Sequence, residues 1–183
     1  MKHWRKYFIT SIAATLTSLS AVGNEIAIKN FREIFESLIK ATGVTPTQTH
    51  ITAYQQVRDA LPKFGEIEEY TPAMSLGVLK LSGHFCKSLI AEDAAKPPVQ
   101  RRAHKEVDFQ KPPKEMSESI RMSVIHSYAG LFWQATPASN EVLRLLNLME
   151  KLAASASVTS QGTKDVLLMT CTAVASAVEF LVI

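Results

Sequence analysis

Few residues of this chain combine types and spacings that could do chemistry. Met122 and His126 lie four residues apart, so they share one face if this region is helical. A thioether and an imidazole on one face could serve as haem or copper ligands. The alternative is a core methionine beside a hydrogen-bonded or exposed histidine, and this is what we expect. The sequence therefore predicts no metal and no cofactor, with Met122 and His126 as weak candidates for ligands.

The chain has two cysteines, Cys86 and Cys171. In an oxidising compartment an even count favours a disulfide. The alternative is two buried thiols that pack as small hydrophobic side chains, since both lie within apolar helical runs. We expect the disulfide, which would stabilise the fold by about 4–5 kcal/mol if it acts through chain entropy.

Linear signatures of catalysis are missing from the sequence. It contains no C-x-x-C-H haem motif, no G-x-x-x-x-G-K-[ST] or G-x-G-x-x-G nucleotide loop, and neither H-E-x-x-H nor G-x-S-x-G. An active site assembled from distant residues would leave no such signature. The sequence therefore predicts no catalytic residue and favours a non-enzymatic role over an enzymatic one.

A basic segment and one tryptophan are the candidate interaction residues. Lys96, Arg101, Arg102 and Lys105 make the first half of a long proline-rich segment basic, so it could contact an anionic lipid head group or an acidic partner. The alternative, which we expect, is that these charges are simply solvated. Trp133 follows an apolar helical face, where it is expected to pack with its N–H at the rim; stacking on a ligand is the alternative.

The first 23 residues resemble an export signal. Lys2, Arg5 and Lys6 form a basic head, residues 8–22 are apolar or small without charge, and small residues precede a cleavage point before Asn24. The alternatives are an uncleaved membrane anchor and a structural helix. The uncharged stretch is short for a bilayer span and rich in Ser and Thr, so we expect cleavage. This predicts a periplasmic or extracellular protein, membrane-associated if the segment is retained.

The charge balance argues against nucleic-acid binding. The chain carries 20 Lys and Arg against 17 Asp and Glu, and three of the basic residues lie in the predicted leader. The remainder therefore has 17 of each sign and no global basic surface. Its 160 residues, 24–183, suit a single domain with a sizeable core.

The fold prediction is all-α, a single bundle of about six helices after the signal peptide. Apolar residues recur at three- and four-residue spacing, and no stretch alternates long enough for a sheet. Thr71 is a good N-cap with Pro72 at the first helical position, and Gly43 suits the end of the first helix. A charged, proline-rich loop at about 91–117, of the length typical of functional or mobile loops, divides the helices. The predicted helices are 25–41, 48–61, 72–90, 117–133, 138–155 and 160–183.

The last of these helices is the most apolar. From Val166 to Ile183 its single charge is Glu179. Such a helix is either the buried centre of a bundle or a membrane span. We expect burial, because Thr170, Thr172 and Ser176 dilute the run and no basic cluster follows it.

Residues 128–183 resemble a segment of exported bacterial proteins with domains of unknown function, which often accompany planctomycete-type cytochrome c domains. Residues 43–62 and 81–90 are similar to a segment found beside it. Gln134 stands where that pattern has Arg. The resemblance implies export, an all-α fold and the neighbourhood of redox proteins, and it carries over no catalytic residue. The matching positions are Trp133, Pro137, Glu141, Leu145, Ser176, Phe180 and Leu181.

These observations favour an exported, non-catalytic structural or interaction subunit of a cell-envelope assembly. Its partners would be other envelope proteins, with membrane association through the N-terminal segment or the C-terminal helix. The alternative function is a redox accessory or haem-binding helical module of the periplasm, which rests on the resemblance and on Met122 and His126.

Overall fold

The computed structural model describes residues 29–60 and 71–181, and the predicted leader lies outside them. The described part is all-α, without a strand, so the fold prediction is confirmed. Two short 3-10 turns, Pro98–Gln100 and Pro113–Glu115, interrupt the segment between the third and fourth helices. The helices are α1 Phe31–Thr42, α2 Gln48–Ala60, α3 Pro72–Ala94, α4 Glu118–Phe132, α5 Ser139–Ser155, α6 Ser160–Ala175 and α7 Val178–Leu181.

Helices α3 and α6 form the centre of the bundle. Helix α3 packs against α1, α2 and α6, and α6 packs in turn against α4 and α5. A disulfide between Cys86 and Cys171 joins α3 to α6, with 5.9 Å between the two Cα atoms and both side chains fully buried. The predicted disulfide is therefore confirmed, and it lies where the two central helices touch.

Glycine lets α2 lie close to α3. A Cβ atom at Gly77 of α3 would overlap the side chain of Val57 in α2 and press on the ring of Phe31 in α1. The absence of a side chain at Gly77 thus brings three helices together, although glycine weakens a helix interior by about 1 kcal/mol relative to alanine.

Helix α1 begins later than its apolar periodicity predicts. Asn30 accepts hydrogen bonds from the N–H groups of Arg32 and Glu33, and the Glu33 carboxylate accepts one from the Asn30 N–H. This reciprocal capping box satisfies orphan donors at the helix start. The helix therefore starts at Phe31 rather than at residue 25, and it ends before Gly43, whose φ of 66° is the left-handed conformation expected there.

The first and last described segments are joined. The Lys29 backbone N–H donates to the Leu181 carbonyl at 2.8 Å, and its Nζ donates to the Phe180 carbonyl at 2.6 Å. The same ammonium lies 4.7 Å from the centroid of the Phe180 ring. The two ends of the described chain therefore contact each other.

The final helix is broken, contrary to the single helix predicted over 160–183. Ser176 donates to the Thr172 carbonyl through both its N–H and its hydroxyl. Side chains from elsewhere in the bundle donate to the two carbonyls before Ser176. Trp133 Nε1 donates to the Val174 carbonyl, and Ser82 Oγ donates to the Ala175 carbonyl. These bonds satisfy a helix end, so α6 stops at Ala175 and the short α7 follows. No helix in the described part is long and apolar enough to span a bilayer.

Helix α4 is rotated relative to the predicted core face. Ser117 accepts from the Ile120 N–H as the predicted cap, and Ile125 and Phe132 are buried. Tyr128 is also buried, whereas Met122 is 37% exposed. The prediction of Met122 as a core residue is therefore wrong, because the buried face is centred between Ile125 and Tyr128 and leaves Met122 at its rim.

Removing the disulfide should destabilise the protein. We expect the double substitution Cys86→Ala/Cys171→Ala to lower the free energy of unfolding by about 4 kcal/mol, because the bond closes a loop spanning 85 residues. Chemical denaturation followed by circular dichroism measures this, with reduced wild-type protein as the control. A loss below about 1 kcal/mol would contradict a stabilising role for the bond.

The backbone after α4 is strained at Gln134, where φ is 53°. We expect Gln134→Gly to raise the free energy of unfolding by about 1 kcal/mol, because glycine adopts this conformation without a Cβ clash. Gln134→Ala is the matched control, since it retains the Cβ atom and should bring no such gain. Equal stabilities of the two variants would show that the strain is not significant.

Candidate functional site

The densest cluster of titratable side chains in the described residues is a buried polar chain of Asp93, His104 and Tyr128. The His104 Nδ1 atom lies 2.8 Å from Asp93 Oδ2, and its Nε2 atom lies 2.6 Å from the Tyr128 hydroxyl. All three residues are 0% exposed. The chain connects the end of α3, the irregular segment 95–117 and the middle of α4.

Asp93 collects hydrogen bonds that compensate for its burial. Its carboxylate accepts from the backbone N–H groups of Arg102 at 2.9 Å, Ala103 at 2.9 Å and His104 at 3.2 Å, in addition to the imidazole. Burial alone would raise the pKa of this carboxyl, and the negative end of the α3 dipole acts in the same direction. The hydrogen bonds from His104, Arg102 and Ala103 outweigh burial and hold the pKa of Asp93 well below its ordinary value.

The hydrogen bonds also assign the tautomer of His104. An ionised Asp93 only accepts, so Nδ1 must carry a proton and donate. The Tyr128 hydroxyl has one proton and two neighbours, His104 Nε2 at 2.6 Å and the Leu167 carbonyl at 3.3 Å. The 2.6 Å bond between Nε2 and this hydroxyl extends the chain to α4. Burial and, after it, the charge of Asp93 raise the pKa of Tyr128, which keeps it a donor.

Two arginines that were predicted to be solvated are bonded internally. Arg101 donates from Nε to the Lys96 carbonyl at 3.0 Å and from NH1 to the Val107 carbonyl at 2.6 Å, and its guanidinium lies 5.1 Å from the Phe109 ring centroid. Arg102 reaches the end of α1, where it donates to the carbonyls of residues 40 and 41 at 3.0 and 2.9 Å. Their guanidinium groups therefore satisfy backbone carbonyls within the chain.

The segment predicted as a charged loop at 91–117 is anchored to the core by a few buried side chains, although most of its residues are exposed. Helix α3 continues to Ala94, so the irregular part is shorter than predicted. Its apolar residues fill gaps beside the bundle, and Thr163 of α6 donates to the Lys111 carbonyl at 2.6 Å. The segment packs inward because its apolar residues, although few, are placed to reach the core. Its buried members include Ala103, His104, Val107, Phe109, Pro113 and Met116.

The buried polar chain has the acid–imidazole–hydroxyl order of a catalytic triad, but its geometry suits a structural role. A catalytic hydroxyl must reach its substrate. The Tyr128 hydroxyl is enclosed and already bonded to His104 and close to the Leu167 carbonyl. The arrangement can hold segment 95–117 against α3 and α4, and it presents no reactive group to solvent.

A second polar cluster, His50 with Ser88, also lacks catalytic geometry. Ser88 Oγ lies 3.1 Å from His50 Nε2, which is the distance of a serine–histidine dyad. However, His50 Nδ1 accepts the Thr47 backbone N–H at 3.1 Å, so the proton of a neutral ring is on Nε2. His50 therefore donates to Ser88 and cannot take its proton.

The remaining candidates from the sequence do not converge on one site, although Met122 and His126 lie one helical turn apart. Met122 and His126 are both exposed on α4, and the described residues contain no group of three or more His, Cys, Asp or Glu side chains placed to hold a metal ion. Trp133 is half-buried, and its Nε1 donates to the Val174 carbonyl at 3.0 Å. Lys96 lies 3.3 Å from Glu92, and Lys105 is exposed. The structure brings none of these into a common site.

Comparison of the chain with protein-family models, with curated proteins and with solved structures finds no match.

Acid should lower the free energy of unfolding by protonating Asp93. Since its pKa in the folded state is lowered, the unfolded state takes up a proton first as the pH falls through 3.8, and the stability present above about pH 5 is lost below it. We expect Asp93→Asn to lower the free energy of unfolding at pH 7 by about 3 kcal/mol and to flatten this acid dependence. Urea denaturation at several pH values measures both effects.

Glu92→Gln is the matched control for this prediction, because Glu92 is the neighbouring carboxylate and forms a half-exposed ion pair with Lys96. It should change stability by less than about 1 kcal/mol and retain the wild-type acid dependence. An Asp93→Asn protein with wild-type stability at pH 7 would show that the buried carboxylate does not hold the segment.

Proposed function

We propose that this chain is an exported, non-catalytic interaction subunit of a cell-envelope assembly. The observation that carries the proposal is the fully buried disulfide between α3 and α6. Structural disulfides form and persist in oxidising compartments, outside the cytoplasm. The bond thus supports the export that the basic, then apolar, N-terminal residues predict. A periplasmic or extracellular location follows from the same argument.

The use of the polar side chains favours binding over catalysis. The buried polar chain of Asp93, His104 and Tyr128 holds segment 95–117 in place. The ring of His50 is held in a tautomer that cannot activate Ser88. A catalytic group needs both the correct protonation state and access to substrate. Neither cluster meets both conditions, which supports a role as a rigid scaffold for a recognition surface.

The surface that suits recognition best is the outer tip, defined as Pro98, Val99, Gln100 and Lys105. Val99 is 86% exposed in the 3-10 turn, the most exposed large apolar side chain among the described residues. The bonds of Asp93 and Arg101 fix the backbone on the inner side of this tip. A loop held rigidly by a scaffold loses little entropy on binding, which favours its use in recognition.

The outer tip itself carries one charged side chain, because the guanidinium groups of Arg101 and Arg102 are bonded to backbone carbonyls away from it. Lys105 remains exposed, whereas Lys96 is compensated by Glu92. An apolar residue with one free cation fits a protein partner better than an anionic membrane, because membrane attraction needs clusters of basic residues. Membrane association, if it occurs, would then depend on the N-terminal segment, since the apolar face of α6 packs inside the bundle.

The alternative function, a haem-binding or redox accessory module, is supported by one arrangement. Met122 and His126 lie one helical turn apart on the exposed side of α4, where a second protein or a cofactor could reach both. The absorption spectrum of protein purified from its native envelope separates the two proposals. A haem band that disappears in His126→Ala would favour the alternative.

Substitutions of two exposed valines test whether the outer tip is the recognition surface. Val99→Asp should remove the chain from its native envelope complex without changing its melting temperature, because Val99 is exposed and makes no core contact. Val158→Asp is the matched control, since Val158 is 71% exposed in the turn between α5 and α6 and should leave the complex intact. Native gels and crosslinking of envelope fractions measure complex size.

Two results would contradict the proposal. A Val99→Asp protein that still co-migrates with the complex would show that the outer tip is not the recognition surface. Recovery of the wild-type chain from the cytosol, as a monomer with free thiols, would contradict export and the interaction role together.

A further inference from the structure

The start of α2 carries an unusual helix cap. In the usual capping box, a Glu or Gln at the third helical position accepts the N–H of the capping residue. Here His50 occupies that position, and its Nδ1 atom accepts from the Thr47 backbone N–H at 3.1 Å and lies 2.8 Å from Thr47 Oγ1. An imidazole thus replaces the carboxylate or amide at a helix start.

The same ring fastens α2 to α3. His50 is 2% exposed, its Nε2 atom donates to Ser88 Oγ at 3.1 Å, and its ring centroid lies 4.5 Å from that of the buried Phe85. Both ring nitrogens are therefore committed, one as an acceptor within α2 and one as a donor to α3. Loss of either role loosens the contact between these two helices.

The charged groups near His50 are mostly cationic. On α3, the helix that packs against α2, His84 lies 6.5 Å from His50 between ring centroids, and Lys80 and Lys87 flank His84. On α2 itself the nearest fixed charge is the positive helix N-terminus, because Arg58 and Asp59 pair with each other near the other end. Neither histidine forms an ion pair with a carboxylate in the described part of the chain.

Protonation would also remove the cap itself. A second proton on the ring converts Nδ1 into a donor, which can bond to Thr47 Oγ1 but leaves the Thr47 N–H without its acceptor. His104 differs, since the Asp93 carboxylate accepts from its Nδ1 at 2.8 Å. Of these two buried histidines, the one whose Nδ1 acts as an acceptor is therefore at the start of α2.

We propose that the Thr47–His50 cap is an acid-sensitive latch, which holds the first turns of α2 against α3 at neutral pH and releases them when the imidazole is protonated. Release uncovers the ring of Phe85, which His50 covers in the closed state. The neighbouring His84 acts in the same direction. Burial, and then the charges of His50, Lys80 and Lys87, lower its pKa, so its contribution to stability is present above pH 6.5 and is lost as the pH falls below that value.

Hydrogen exchange followed by mass spectrometry tests the latch on the full chain. Protection factors, corrected for intrinsic exchange rates, are compared at about pH 7.5 and about pH 5, on either side of the ordinary histidine range. We expect peptides from residues 48–56 to lose protection by roughly fivefold to tenfold at the lower pH, the loss that corresponds to one helix cap. Peptides from α5, residues 140–152, should change much less.

His50→Gln is the decisive variant, because glutamine is an ordinary acceptor at this position and does not titrate. It should lose less protection of α2 at the lower pH than the wild-type protein does, and His84 accounts for the remaining loss. His126→Gln is the matched control, since His126 is exposed on α4, and it should behave as the wild-type protein. If His50→Gln fails to fold, the comparison of α2 with α5 in the wild-type protein still tests the latch.

Three results would overturn the latch: unchanged protection of residues 48–56 at the lower pH, an equal loss in every helix, or the same acid response in wild-type and His50→Gln proteins. The first shows that protonation does not open α2. The second assigns the acid effect to global unfolding, and the third assigns it to groups other than His50.

Discussion

The buried carboxylate of Asp93 determines the course of the chain between α3 and α4. A carboxylate enclosed at the negative end of a helix is destabilising by several kcal/mol unless donors surround it. The donors come from the backbone of residues 102–104 and from the His104 ring, so the chain must turn back over the end of α3. Once it has turned, Phe109 and Met116 reach the core.

This constraint also links parts of the molecule that are distant in sequence. The turn that satisfies Asp93 places Arg102 at the end of α1, where its guanidinium supplies donors for two helix carbonyls. It places His104 beside Tyr128 and, through Tyr128, close to α6. One ionised group thus orders a segment that contacts α1, α3, α4 and α6, and the disulfide between α3 and α6 holds the same centre covalently.

The features that local sequence determines were predictable. Thr71, Pro72, Ser117 and Gly43 mark helix ends through bonds or backbone conformations within a few residues, and the structure has each of them. The start of α1 was missed although Asn30 and Glu33 have the spacing of a capping box, because the apolar periodicity continued upstream of it. The disulfide was predictable because two cysteines in apolar runs allow one intramolecular pairing.

The candidate site was not predictable, because its bonds join residues without periodic spacing. Asp93 and His104 are 11 residues apart and His104 and Tyr128 are 24 apart, on segments whose relative position depends on the whole fold. For the same reason the sequence predicted that the charges of Arg101 and Arg102 are solvated, because their acceptors are backbone carbonyls that carry no sequence signal. The end of α6 was missed because side chains from α3 and α4 supply the bonds that end it.

Asp93, His104 and Tyr128 form a closed, structural hydrogen-bonded chain. Long-range ¹H–¹⁵N correlation spectra of the labelled protein at neutral pH test it most directly through the His104 ring. We expect an imidazole that is protonated at Nδ1, with an Nδ1 proton that exchanges slowly with water. A ring protonated at Nε2 instead, or a ring proton that exchanges with water too fast to observe, would contradict it.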